Sequence, residues 1–68
     1  MLIKIERCYK SKVWDEIINT DEIKKVEPPK NLNSITNSVI HTKDGEVIFS
    51  TNSISNLNSL ILNENYNH

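Results

Sequence analysis

The stretch Ser38-Val39-Ile40-His41-Thr42-Lys43-Asp44-Gly45-Glu46-Val47-Ile48-Phe49-Ser50 decides the fold. Two runs rich in β-branched and aromatic residues, 39–42 and 46–49, flank Asp44-Gly45. Asp-Gly supplies the positive φ that tight hairpin turns need, and Gly45 is the only glycine in the chain. The reading is a β-hairpin over residues 38–50. A two-residue loop would set Ile40 opposite Phe49, whereas a bulged three-residue loop would set Ile40 opposite Ile48. Both registers remain open at this level.

Upstream, Asp21-Glu22-Ile23-Lys24-Lys25-Val26-Glu27 places its two apolar residues three apart. Strict strand alternation does not give that spacing; one helical turn or a strand entered through a bulge does. Pro28-Pro29 closes the segment, because neither residue has a backbone donor. Residues 30–37, rich in Asn and Ser, read as a loop. Nearer the start, Leu2 to Tyr9 alternates with period two, Ile3, Ile5, Arg7 and Tyr9 facing away from Leu2, Lys4, Glu6 and Cys8. After a polar break at Lys10-Ser11-Lys12, residues 13–18 fit a second antiparallel strand, and Asn19-Thr20-Asp21 reads as a turn.

Downstream of the hairpin the period changes. Ile54, Leu57 and Ile61 fall at i, i+3 and i+7 with Leu60 beside them, which is a helical stripe. Asn52 or Ser53 is the expected N-cap. Ser and Asn are poor helix formers, so packing of that stripe must hold the helix. The expected division is one small β-rich domain over 1–62 followed by a frayed polar tail over 63–68.

The stretch Asp21-x-Ile23-x-x-Val26-Glu27, a Pro-containing loop, Val39-Ile40-x-Thr42-x-Asp44-Gly45 and Ser53-Ile54-x-x-Leu57-x-x-Leu60 resembles the small flagellar FlbD-type proteins. The same cadence is similar to the core of LytTR DNA-binding domains, in which an I-x-x-I-E segment precedes a hairpin ending in Asp-Gly. The resemblance covers residues 21–61 and implies a small sheet with a helix. The LytTR likeness implies DNA reading, yet the chain has no Lys or Arg after Lys43. The FlbD likeness carries no defined chemistry.

Size and composition narrow the function. The chain has 68 residues with a net charge of −1. A domain of about 60 residues buries only ~60% of its unfolded-chain surface and is marginal without a disulfide, a metal or a partner subunit. Cys8 is the only cysteine, so no intrachain disulfide forms; one Cys and two His are too few for a four-ligand zinc site. Self-association is the stabilising device still open. Ten Ile and ten Asn, with no Ala or Gln, match AT-rich codons and suggest a low-GC bacterium or its phage. No apolar run is long enough to span a membrane, and the charges in Met1-Leu2-Ile3-Lys4-Ile5-Glu6 do not fit a signal peptide. A cytoplasmic location is expected, in the host cytoplasm if phage-encoded.

The chemistry-bearing residues read mainly as structural. Cys8 and His41 lack the glycine-rich elbow or oxyanion loop that a nucleophile and base require. Asp15-Glu16 and Asp21-Glu22, adjacent along strands, would point to opposite faces. No phosphate loop or dinucleotide fingerprint is present. Tyr9, Lys10, Lys12 and Trp14, with Lys4, could form a small stacking patch, although pI 6.0 and interleaved acids disfavour nucleic acid. Trp14 serves either as a partner contact or as a core pin. Asn31, Asn33, Asn37, Asn52 and Ser53 could line a pocket for a polar small molecule.

The expected fold is therefore α+β: a small twisted antiparallel sheet of four or five strands with one short C-terminal helix. The expected function is that of a non-catalytic binding or regulatory module without cofactor or metal. It would form homo-oligomers and act by binding a larger protein as a regulator or inhibitor. The alternatives are an oligomer that sequesters a small polar ligand, such as a signalling nucleotide, and a LytTR-like nucleic-acid binder.

Overall fold

The computed structural model describes residues 1–30 and 34–66. Five strands and one helix follow in the order β1 (Leu2–Tyr9), β2 (Lys12–Asn19), a 3-10 turn (Thr20–Glu22), β3 (Ile23–Glu27), β4 (Ser38–Thr42), β5 (Val47–Ser50) and α1 (Ile54–Tyr66). All strand pairs are antiparallel, in the spatial order β2-β1-β5-β4-β3. The α+β sheet with a single C-terminal helix is the expected architecture.

The central hairpin takes the bulged register. Ile40 lies opposite Ile48, and Thr42 N–H donates to Glu46 C=O at 3.0 Å, closing a three-residue loop. Gly45 carries the positive φ of that loop, +93°. The first hairpin turns on two residues, with Tyr9 opposite Lys12 and Lys10 and Ser11 both at positive φ, 47° and 68°. That is the twist-matched turn usually given to Asn-Gly. Neither residue type advertises it, so the sequence shows only a polar break there.

Of the two readings of the Ile23–Val26 spacing, the strand entered through a bulge holds and the helical turn does not, since both residues lie in β3. A 3-10 turn, capped by Asn19 Oδ1 accepting from Asp21 N–H at 3.0 Å, runs directly into β3. Between Ile23 and Lys25 the register against β4 then shifts. The extra residue restores both Ile23 and Val26 to the inner face, which explains their spacing of three.

That inner face holds the core. Ile3 and Ile5 of β1, Ile40 of β4, Ile48 of β5 and Leu57 of α1 are buried together. Ile18, Ile23, Val26, Leu60 and Ile61 pack around them. Ser53 caps the helix by accepting from Asn56 N–H at 3.0 Å. The helix continues to Tyr66, so the expected tail is helical in backbone over 63–66; no Gly or Pro stands after Leu62 to stop it. Residues 67–68 of that tail lie outside the described residues.

Pairing between β1 and β5 is brief, centred on Arg7 opposite Ser50, but side chains reinforce it. Ser50 Oγ donates to Glu6 C=O at 2.8 Å, and Thr51 N–H donates to the same carbonyl at 3.0 Å. Glu6 N–H in turn donates to Asn52 Oδ1 at 2.7 Å. The edge strands β2 and β3 follow one another in the chain, so the 3-10 turn links the two free edges of the sheet.

Candidate functional site

Strand alternation that buries one face of this sheet exposes the other. The single helix covers only the inner face, so the outer face retains its apolar residues in solvent. Val13 and Ile17 of β2 are 51% and 58% exposed, Val47 and Phe49 of β5 42% and 37%. Leu2 of β1 is exposed on the same side. These five residues were not singled out as a site from the sequence, although period-two alternation is the signal that places them together.

Pro28, Pro29 and Thr36 line one side of a groove of about 330 Å³, and Val39, His41 and Phe49 of β4 and β5 line the other. Cys8 is buried on this side, beside Thr36. Its Sγ sits 3.5 Å from Thr36 Oγ1, although its strand neighbours on that face, Leu2, Lys4 and Glu6, are exposed. One rim of the groove is polar. His41 Nε2 touches Glu27 Oε1 without the alignment of a hydrogen bond and has no other polar partner among the described residues. Lys25 Nζ stands 3.8 Å from the same carboxylate oxygen.

The residues expected to make a stacking patch gather at the β1–β2 hairpin end. Lys10 Nζ lies 5.4 Å from the Tyr9 ring centroid, and Arg7 Cζ lies 5.9 Å from that of Trp14. Tyr9 and Lys12 are directly opposite, as are Arg7 and Trp14, so all four side chains share the inner face. Lys4 is on the outer face and does not join them. Trp14 is 40% exposed, at the margin of the sheet rather than in the core. Arg7 binds Glu16 at 2.9 Å and Glu46 at 3.5 Å, while Trp14 Nε1 donates to Glu16 Oε1 at 3.2 Å.

The polar residues expected to line a pocket behave differently. Asn37 Nδ2 donates to Thr51 C=O at 2.8 Å. Asn52 accepts at Oδ1 from Glu6 N–H, with Ser50 Oγ 2.9 Å from the same oxygen, and donates from Nδ2 to Asn56 Oδ1 at 2.6 Å. Ser53 caps the helix. Their polar atoms are engaged in joining β1, β4, β5 and α1. Asn31 and Asn33 lie outside the described residues.

Among the described residues no group of three or more His, Cys, Asp or Glu side chains could hold a metal ion. No helix among them is long and apolar enough to cross a membrane. Comparison with protein-family models, with curated proteins and with solved structures gave no match. The candidate site is therefore defined by its own geometry: an outer face on which exposed apolar residues flank the charged Lys4 and Glu6 of β1, a groove beside it, and the cation-backed rings of Tyr9 and Trp14 at the first hairpin.

Proposed function

We propose that this chain is a small non-catalytic binding and regulatory module that self-associates and acts by docking a larger protein on its outer sheet face. The observation that carries the reading is the exposure of Val13, Ile17, Val47 and Phe49 on one side of the sheet, next to a groove walled by two prolines. Apolar residues gathered on one face attract a macromolecular surface because their burial removes apolar area from water. Half-exposed aromatic side chains such as Phe49 are favoured anchors, since they bring a large contact area with few torsions to fix. The apolar part of the groove lining, Pro28, Pro29, Val39, Val47 and Phe49, suits a protein side chain better than a charged metabolite.

A photoreactive phenylalanine analogue at position 49, expressed in the native cells, tests this. The expected result is one dominant protein adduct larger than a pair of copies of this chain, absent when Val47→Asp accompanies the probe. A probe at Asn58, exposed on the helix, should give no such adduct. Equal labelling from positions 49 and 58 would remove the outer face as the docking surface.

A further inference from the structure

The two edges of the sheet are not equally protected. β3 is five residues long, carries the register shift after Ile23 and ends at Pro28-Pro29. Bulges and prolines are the ordinary means of blocking an edge. β2 is eight residues long, with neither proline nor bulge. Its inward pairing is definite: in a hairpin closed by a two-residue turn at Tyr9 and Lys12, odd residues of β1 exchange bonds with even residues of β2. The donation from Thr20 N–H to Met1 C=O at 2.8 Å continues that ladder. The backbone N–H and C=O groups of Val13, Asp15 and Ile17 consequently point away from β1, along the open edge.

We infer that this edge pairs with the same edge of a second copy, antiparallel, about a twofold axis at Trp14. The inference rests on the self-associating module proposed above and names its contact. A twofold antiparallel pairing sets the residue at its centre against its own copy, which discriminates among the registers in the middle of the strand. A centre at Asp15 or Glu16 would oppose like carboxylates. A centre at Val13 would require Lys10 and Ser11 to extend, but both are fixed at positive φ in the turn. A centre at Ile17 keeps residues 15–19 paired but sets the Glu16 carboxylate opposite the apolar side chain of the partner's Ile18. The centre at Trp14 avoids all three conflicts. It places Lys12 opposite the partner's Glu16 and Glu16 opposite the partner's Lys12, an opposite-charge pair on each side of the axis.

Trp14 itself suits the central position. Arg7 stands against its ring and Glu16 holds its Nε1, so the side chain is oriented before association. Its remaining exposed surface would meet the partner's Trp14 across a non-hydrogen-bonded site, the closer kind of cross-strand pair. Val13 and Asp15 supply the backbone bonds on both sides of the axis. The product is a ten-stranded sheet with one unprotected edge removed from each copy. Both outer faces then lie on the same side of that sheet, where a larger partner could contact them together.

Sedimentation equilibrium and circular dichroism on the full chain test the register. The expected result is a concentration-dependent dimer whose formation brings a tryptophan exciton couplet, because the two indoles are stacked close together. Asp15→Pro removes an outward N–H and no bond to β1, so it should give a folded monomer without the couplet. Lys12→Glu turns both cross-axis attractions into repulsions and should weaken the dimer about tenfold. Phe49→Asp should leave both mass and couplet unchanged, which separates this contact from docking on the outer face. A monomer at every concentration up to about 1 mM, a dimer without a couplet, or a dimer indifferent to both β2 variants would each overturn the inference.

Discussion

Ser38 and Ser50 lie directly opposite one another across the β4–β5 ladder, and both are fully buried. Neither side chain is left without a partner. Ser38 Oγ donates to Asn52 C=O at 2.7 Å, and Ser50 Oγ donates to Glu6 C=O at 2.8 Å. Two small hydroxyls thus fasten the first strand and the helix entry to the central hairpin. Larger side chains at either position would hold those backbones apart.

Ser50→Ala should destabilise the fold by about 1–2 kcal/mol. The loss comes from Asn52 N–H, which donates to Ser50 Oγ at 3.0 Å, and from the direct tie to Glu6. Glu6 C=O keeps its bond from Thr51, which limits the penalty. Urea unfolding followed by Trp14 fluorescence reads the change in midpoint; an unchanged midpoint would show that the hydroxyl contributes nothing net.

The two hairpin turns should respond to glycine in opposite directions. Gly45→Ala forces a β-carbon into φ +93° and should cost about 1–2 kcal/mol even though space around it is open. Ser11→Gly relieves a side chain already at φ 68° and should stabilise by about 0.5–1 kcal/mol. Thermal melts of both variants test the pair of signs, and a destabilising Ser11→Gly would contradict the turn geometry.

Acid should loosen the Asp44 turn. Thr42 Oγ1 donates to the Asp44 carboxylate, Glu46 N–H adds a second bond at 3.2 Å, and together they hold its pKa below the ordinary value of 3.8. A depressed folded-state pKa means the stabilisation is fully present above the unfolded-state value and is lost as pH falls through the folded one. The wild type should therefore lose more stability than Asp44→Asn between about pH 5 and pH 2. Parallel denaturant titrations across that range, compared as a difference, isolate this carboxylate from the others.

Cys8 should be inert until the loop above it moves. Its side chain is 2% exposed beneath Thr36, and a buried thiol reacts only through opening of its cover. A chromogenic disulfide reagent should label native protein far more slowly than protein in denaturant. Thr36→Gly, which thins the cover, should raise the native rate without matching the unfolded one.

Local pattern accounts for most of the fold. The Asp44-Gly45 hairpin, the alternation of β1 and the stripe of Leu57, Leu60 and Ile61 are short-range signals, and each forms the expected element. The spacing of Ile23 and Val26 allows either a helical turn or a bulged strand entry, and the pairing of β3 with β4 selects the bulge. Less legible were features set by contacts distant in sequence. Cys8 leaves the pattern of its face because Thr36, twenty-eight residues away, covers it. Asn52 suggested a pocket residue because its composition resembles a loop, but its amide is committed to Glu6, forty-six residues away. The outer apolar face was implicit in the alternation. It emerges as a surface only once the single helix is seen to cover the other side.

The brevity of the β1–β5 contact bears on how the chain reaches this state. The β1–β2 and β4–β5 hairpins close over short loops and can form within microseconds, whereas joining Glu6 to Thr51 must close a loop spanning most of the chain. That joining step should set the folding rate. Substitutions at Ser50 or Asn52 should then appear chiefly in the refolding arm of a chevron plot, and those on the exposed face of the helix chiefly in the unfolding arm. Under load the sheet should part first at this seam, its shortest pairing, so that the N-terminal hairpin separates as a unit from the other three strands.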